Sequence, residues 1–149
     1  VTTAVMGNCG VGFAPCRKAD HAMLINVMEG VEDIPGVVMT EGLPWDWETF
    51  PEYLDTVAAG RRDIDVAAYL PHSPLRVYAM GERGAARAQA TGDDLALMRR
   101  LTAEAMRAGA LGFATSRLSI HKTADGEAIP TFEADVAELE AITRGMADA

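Results

Sequence analysis

The sequence predicts an α/β fold with parallel strands, and three observations carry that expectation. Short apolar runs alternate with amphipathic stretches of helical spacing, giving the order strand, helix, strand, helix, strand, helix. Each apolar run stops at a glycine or proline turn that carries polar residues, as strands do when their carboxyl ends converge on one crevice. The chain of 149 residues holds about three such units. An eight-unit barrel needs roughly 250 residues. The pattern therefore fits either less than half of a barrel or a small open sheet.

The first strand is read from Val1 to Met6 and ends at the turn Met6-Gly7-Asn8-Cys9-Gly10. Val11 to Pro15 crosses as loop. Helical spacing begins near Lys18 or Ala19, with Ala22, Leu24, Ile25 and Met28 set against Asp20, Asn26 and Glu29, and Gly30 or Gly36 ends it. Val37-Val38-Met39 reads as a strand fragment, followed by a loop with both tryptophans, Trp45 and Trp47. Thr49 and Glu52 form a capping box, with Pro51 tolerated in the first turn, for a helix that stops at Gly60. A second strand spans Ile64 to Leu70 and is terminated by Pro71-His72-Ser73-Pro74; Val77 to Met80 extends it or forms a separate short strand. After a loop from Gly81 to Gly92, Thr91 and Asp94 cap the longest helix, Asp93 to Ala108, closed by Gly109. A third strand, Ala110 to Ala114, runs into Thr115-Ser116-Arg117. Asp125-Gly126 is a turn, and Glu133 to Gly145 closes the chain as an amphipathic helix.

Composition narrows the function classes. A formal charge of −9 argues against nucleic acid, because phosphate binding wants clustered Lys and Arg. Arg61-Arg62 and Arg99-Arg100 are isolated pairs, read as solvated helix ends or faces. No apolar run approaches the length of a bilayer span, so no membrane partner is expected. Two cysteines make neither a secreted disulfide framework nor the short pairing of a structural zinc site. Without a visible targeting motif, a cytoplasmic location is the default. A start at Val1, already inside a strand and without methionine, reads as a piece of something longer.

Three strand ends carry candidate chemistry: Asn8 and Cys9, His72 and Ser73, and Thr115, Ser116 and Arg117. Parallel neighbours would gather them on one rim. Cys9, between two glycines, is either a metal ligand or a nucleophile, weighed against a simple buried thiol. His72, held between prolines, is a ligand, a proton carrier or a donor to a substrate carbonyl, weighed against a structural histidine. His72 and Ser116 are the catalytic candidates within the chain. Arg117 and His121 are candidate substrate contacts, and His21 reads as solvated. Trp45 and Trp47 stack on a ligand or pack under a loop. Glu82 and Arg83 read as a local ion pair or loop anchor, and Cys16 as a packing residue.

The strings VTTAVMGNCGVGFAP, MEGVEDIPG, LPWDWETFPEYLD, PHSPLRVYAMGERG and AGALGFATSR together resemble the N-acyl-D-amino-acid deacylases (D-aminoacylases) of the metal-dependent amidohydrolase superfamily. The resemblance spans nearly the whole chain and implies a partial TIM-type (β/α) barrel, with residues 1–149 a stretch of the barrel domain incomplete at both ends. It implies Zn2+ as cofactor, with Cys9 at the position of the family's metal-binding cysteine. The His-x-His pair, later histidines and aspartate of the family would lie outside this chain. It also implies a small-molecule N-acyl amino acid substrate, cut to a carboxylate and a free D-amino acid. Another linear or cyclic amide and a non-catalytic assembly role are the alternatives, as is a cysteine mechanism with Cys9 as nucleophile and His72 as base. One departure stands out: the family's loop after this third strand tends to carry tyrosines, where this chain has Ser116-Arg117-Leu118-Ser119-Ile120-His121-Lys122. A partial barrel would leave strand edges unpaired, so self-association through them is expected.

Overall fold

A computed structural model describes residues 1–149. Three parallel strands, β1 (Thr3–Met6), β2 (Asp65–Pro71) and β3 (Gly112–Ala114), lie side by side in the order of the chain. Thr3 to Met6 pair with Asp65 to Ala68, and Tyr69 to Pro71 pair with Gly112 to Ala114. A doubly wound open sheet reverses its strand order at a switch point. The order here never reverses, which is the winding of consecutive barrel units.

Helices α1 (His21–Glu32), α2 (Gly36–Gly42) and α3 (Phe50–Ala59) connect β1 to β2. Helices α4 (His72–Met80), α5 (Glu82–Ala85) and α6 (Gly92–Ala108) connect β2 to β3, and α7 (Val136–Ala147) follows. Both capping boxes form as the sequence predicts, Thr49 with Glu52 and Thr91 with Asp94. The main core lies where α3, α4, α6 and α7 meet the sheet. Leu70 of β2, Leu75 of α4, Met98 and Ala105 of α6 and Ile142 of α7 are fully buried there, beside Trp47 and Phe50. Cys16 is buried, as expected of a packing residue. No helix is long and apolar enough to cross a membrane.

Five expectations need correction. Val37-Val38-Met39 is helical, not a strand: only Met39 of the three is buried, and Thr40 donates its hydroxyl to the Gly36 carbonyl one turn back. Val77 to Met80 is the end of α4. Pro74 sits in its first turn, where a missing N–H costs no hydrogen bond, so it does not stop the element. Gly30 lies inside α1 because a side chain there would meet the backbone of Thr123 at 2.2 Å; the helix ends instead at Asp33, in a left-handed conformation. His21 is not simply solvated but stacks on Trp45 with ring centroids 4.0 Å apart. The stretch from Gly81 to Gly92 is not all loop but contains the short α5, and of the two readings of Arg83 the loop anchor holds: it pairs with Asp94 at 2.8 Å and donates to the Gln89 carbonyl, not to Glu82.

Candidate functional site

The turn after β1 is built by its glycines. Gly7 and Gly10 take φ of +91° and +73°, a region that side chains with a Cβ disfavour. A Cβ at Gly10 would lie 2.7 Å from the Thr115 Cα, so this glycine lets the ends of β1 and β3 come into contact. The Ser73 amide donates to the Gly10 carbonyl at 2.9 Å, tying the end of β2 to the same turn. The three strand ends thus gather on one rim.

That rim opens into a cleft of about 400 Å³ lined by Asn8, Cys9, Thr115, Ser116, Arg117 and His121, with Leu118. Four of the five predicted site residues are there, and two of them touch: Ser116 Oγ lies 2.9 Å from His121 Nδ1. Arg117 donates through Nη1 to the Ala134 carbonyl at 2.9 Å. Cys9 Sγ donates to Glu32 Oε1, at the end of α1, at 3.1 Å. Burial and then that carboxylate push the thiol above its ordinary range.

His72, the fifth, does not line the cleft. It is 0% exposed, behind Thr115, and both ring nitrogens are taken. Nδ1 lies 2.7 Å from Thr115 Oγ1, and Nε2 lies 2.8 Å from Glu138 Oε1 of α7. Arg76, one turn beyond His72 on α4, donates to the other oxygen of Glu138 and to the carbonyls of Gly84 and Ala88. Burial holds the imidazole below its usual pKa and hence neutral, against the opposing pull of Glu138. Burial works against ionisation of Glu138, yet the hydrogen bonds from His72 and Arg76 prevail and hold it below the usual carboxylate range. A raised thiol and a fully engaged imidazole give no support to a Cys9–His72 nucleophile pair.

Glu138 and Arg76 escaped the sequence reading. Glu138 lies four and seven residues before Ile142 and Gly145, all buried on one face of α7. A carboxylate on an apolar stripe was the available signal. Arg76 follows His72 at helical spacing, a relation hidden by reading the segment as strand.

As a metal site the chain offers too little by itself. A catalytic zinc normally takes three protein ligands, and no three His, Cys, Asp or Glu side chains are grouped to hold an ion here. Cys9 and the adjacent Glu32 are the donors the rim supplies. A larger cleft of about 540 Å³ opens at the opposite ends of β1 and β2 beside Arg62, Asp63 and Asp65, away from the polar strand ends.

No family model matches the chain. Individual relatives do. A D-aminoacylase of Alcaligenes xylosoxydans xylosoxydans is 34% identical over 115 residues, which cover 77% of this chain and 21% of that protein. An N-acyl-D-aspartate deacylase of the same organism is 32% identical over 117 residues, 77% of this chain and 20% of its own length. Among solved structures, the N-acyl-D-glutamate deacylase of Bordetella bronchiseptica, complexed with zinc and a phosphonate mimic of the tetrahedral intermediate, superposes with a TM-score of 0.67 at 30% identity. The match covers 99% of this chain and 26% of that one. A D-aminoacylase structure described as defining a novel subset of amidohydrolases gives a TM-score of 0.65 at 25% identity, over 99% of this chain and 26% of its own. The chain spans about a fifth of the length of its curated relatives. By sequence and by fold it is a relative of the N-acyl-D-amino-acid deacylases, a subset of the amidohydrolases, matching one stretch of their barrel.

Proposed function

We propose that these 149 residues are the part of a zinc-dependent deacylase barrel that supplies one metal ligand and one wall of the substrate cleft. The reaction is hydrolysis of an N-acyl-D-amino acid to a carboxylate and a free D-amino acid. The observation that carries this reading is the position of Cys9, at the carboxyl end of a barrel-type strand, in a cleft with Asn8, Thr115, Arg117 and His121. Thiolate is a strong zinc ligand. Zinc in such a site lowers the pKa of bound water and polarises the scissile carbonyl.

The residues on this chain take the remaining roles. Arg117 is the cation in the cleft suited to the substrate carboxylate, with Nη1 anchored on Ala134. His121 and Ser116, already in hydrogen-bond contact, flank it as polar contacts. Neither Cys9 nor Cys16 is in a disulfide, which suits the reducing cytoplasm. The outer edges of β1 and β3, away from β2, are where further barrel strands would pair, and the isolated chain is expected to be inactive and to self-associate.

The test is deacylation of paired N-acetyl-D- and N-acetyl-L-amino acids by zinc-loaded protein expressed from the complete reading frame. Turnover of the D form alone, abolished by Cys9→Ala together with loss of bound zinc, is the expected result. No turnover of either enantiomer by protein with verified zinc content would sink the substrate assignment.

A further inference from the structure

The open cleft and the sealed cluster behind it meet at one residue, Thr115, which lines the cleft and whose hydroxyl lies 2.7 Å from His72 Nδ1. A threonine hydroxyl has one proton to donate and two lone pairs. Left free to rotate, it offers a ligand either a donor or an acceptor and so discriminates between neither. The cluster removes that freedom. Glu138 is held by the Arg76 guanidinium on one oxygen and by His72 Nε2 at 2.8 Å on the other. A carboxylate beside a guanidinium only accepts, so Nε2 carries the ring proton. A neutral ring protonated at Nε2 has a bare Nδ1, which only accepts. Thr115 Oγ1 lies 2.7 Å from that nitrogen and must donate to it.

The direction of every proton therefore follows from one buried ion pair. The Thr115 side chain lines the cleft beside Asn8 and Cys9 with its own proton already turned inward. Ser116 is the contrast next door. Its Oγ contacts His121 Nδ1 and accepts from the Leu118 amide at 3.4 Å, and no carboxylate fixes the proton on His121.

We propose that His72 and Glu138 are positioning residues that hold the Thr115 proton inward, so that Thr115 meets the cleft purely as an acceptor and selects a ligand bearing an N–H or O–H donor. Under the function proposed above, that donor is the amide N–H of the N-acyl amino acid. The identity of the ligand rests on that reading; the direction of the Thr115 proton does not.

Two measurements decide it. The first is nitrogen NMR of the His72 ring in protein from the complete reading frame, compared with Thr115→Ser and Thr115→Val. The expected ring is neutral at neutral pH, with its proton on Nε2. Its Nδ1 resonance carries the mark of an accepted hydrogen bond in the wild type and in Thr115→Ser, and loses it in Thr115→Val while the Nε2 proton stays. A proton on Nδ1, or a charged ring, overturns the inference. The second uses protein from the complete reading frame with an N-acetyl-D-amino acid and its ester isostere, in which oxygen replaces the amide N–H. Thr115→Val should lower kcat/KM for the amide about tenfold more than for the ester, the size of one hydrogen bond, and Thr115→Ser should restore it. Equal losses on the two ligands overturn the inference. Turnover of neither ligand by the wild type is instead a failure of the proposed function, and the His72 proton then decides the inference alone.

Discussion

Two polar regions stand on either side of Thr115, and they obey opposite rules. Behind it, His72, Arg76 and Glu138 are at most 1% exposed and partnered with one another and with backbone carbonyls. In front of it, Asn8, Cys9, Arg117 and His121 line an open cleft with few bonds among themselves. Water solvates the open groups, so little holds them in one geometry and little is lost when one is removed. No water reaches the sealed groups, so each depends on its partner. The same residue types are thus structural on one side of a threonine and available for chemistry on the other.

The sharpest way to break this contrast is to remove one polar side chain from each side. Glu138→Ala leaves the Arg76 guanidinium buried without its partner, and such losses cost about 3–5 kcal/mol. Cys9→Ala removes one thiol from an open cleft and is expected to cost less than about 1 kcal/mol. Urea unfolding of the two variants measures both. Comparable losses would show that the cluster is wetter, or the cleft more tightly packed, than their burial implies.

The next largest effect belongs to the hinge between the regions. Gly10→Ala places a side chain in a left-handed conformation, which costs about 1–2 kcal/mol. It also drives a methyl to 2.7 Å from the Thr115 Cα. Relieving that overlap costs roughly another 1–3 kcal/mol and pushes the ends of β1 and β3 apart. The Thr115–His72 hydrogen bond should therefore weaken in Gly10→Ala, visible at His72 Nδ1 by NMR. A variant with wild-type stability and an unchanged His72 spectrum would separate the turn from the cluster.

Most of the rim was legible in the sequence because it depends on local signals. Gly7, Gly10 and Pro71 punctuate strands, and polar residues after strands mark the end where parallel units converge. The two capping boxes were legible for the same reason, since Thr49 with Glu52 and Thr91 with Asp94 act within one turn. What stayed hidden was long-range. Glu138 reaches His72 across 66 positions of chain, and nothing near either residue names the other. Pro74 misled in a different way, because the same residue that ends a strand also suits the first turn of a helix. Val37 and Val38 misled because β-branched residues favour strands only where packing holds them, and here both face solvent.

Acid separates the two kinds of charge more gently. Burial keeps His72 neutral in the fold below its ordinary value of 6.5, whereas the unfolded chain takes up a proton there. Stability is thus lost as the pH falls below about 6.5. Asp94, paired with Arg83 and capping α6, is held down to about 2 against an ordinary 3.8. Its contribution is complete above pH 3.8 and is lost as the pH falls towards about 2. The Arg83 side chain is 49% exposed, so solvent screening keeps the contribution of this pair small. Urea midpoints across pH should therefore fall in two stages, the lower one shared by Asp94 and Glu138 and reduced, not removed, in Asp94→Asn. A midpoint constant from pH 7 to pH 4 would mean that His72 is charged in the fold, against the sealed cluster as described.

The smallest expected effect tests the rule from its exception. Ser73 is 0% exposed, beside His72 at the start of α4, and its hydroxyl has no hydrogen-bond partner. Its amide is the group in use, donating to the Gly10 carbonyl at 2.9 Å, and alanine keeps that bond. A buried hydroxyl without a partner forfeits its hydration for nothing in return. Ser73→Ala should accordingly leave stability unchanged or raise it by up to about 1 kcal/mol, where the equally buried Glu138 loses several. Both residues lie behind the same strand end and differ in whether a partner meets them. A clear loss in Ser73→Ala would reveal a bond to Ser73 Oγ in solution and bring it into the polar cluster. An unchanged midpoint would confine the cluster to His72, Arg76, Glu138 and the Thr115 hydroxyl.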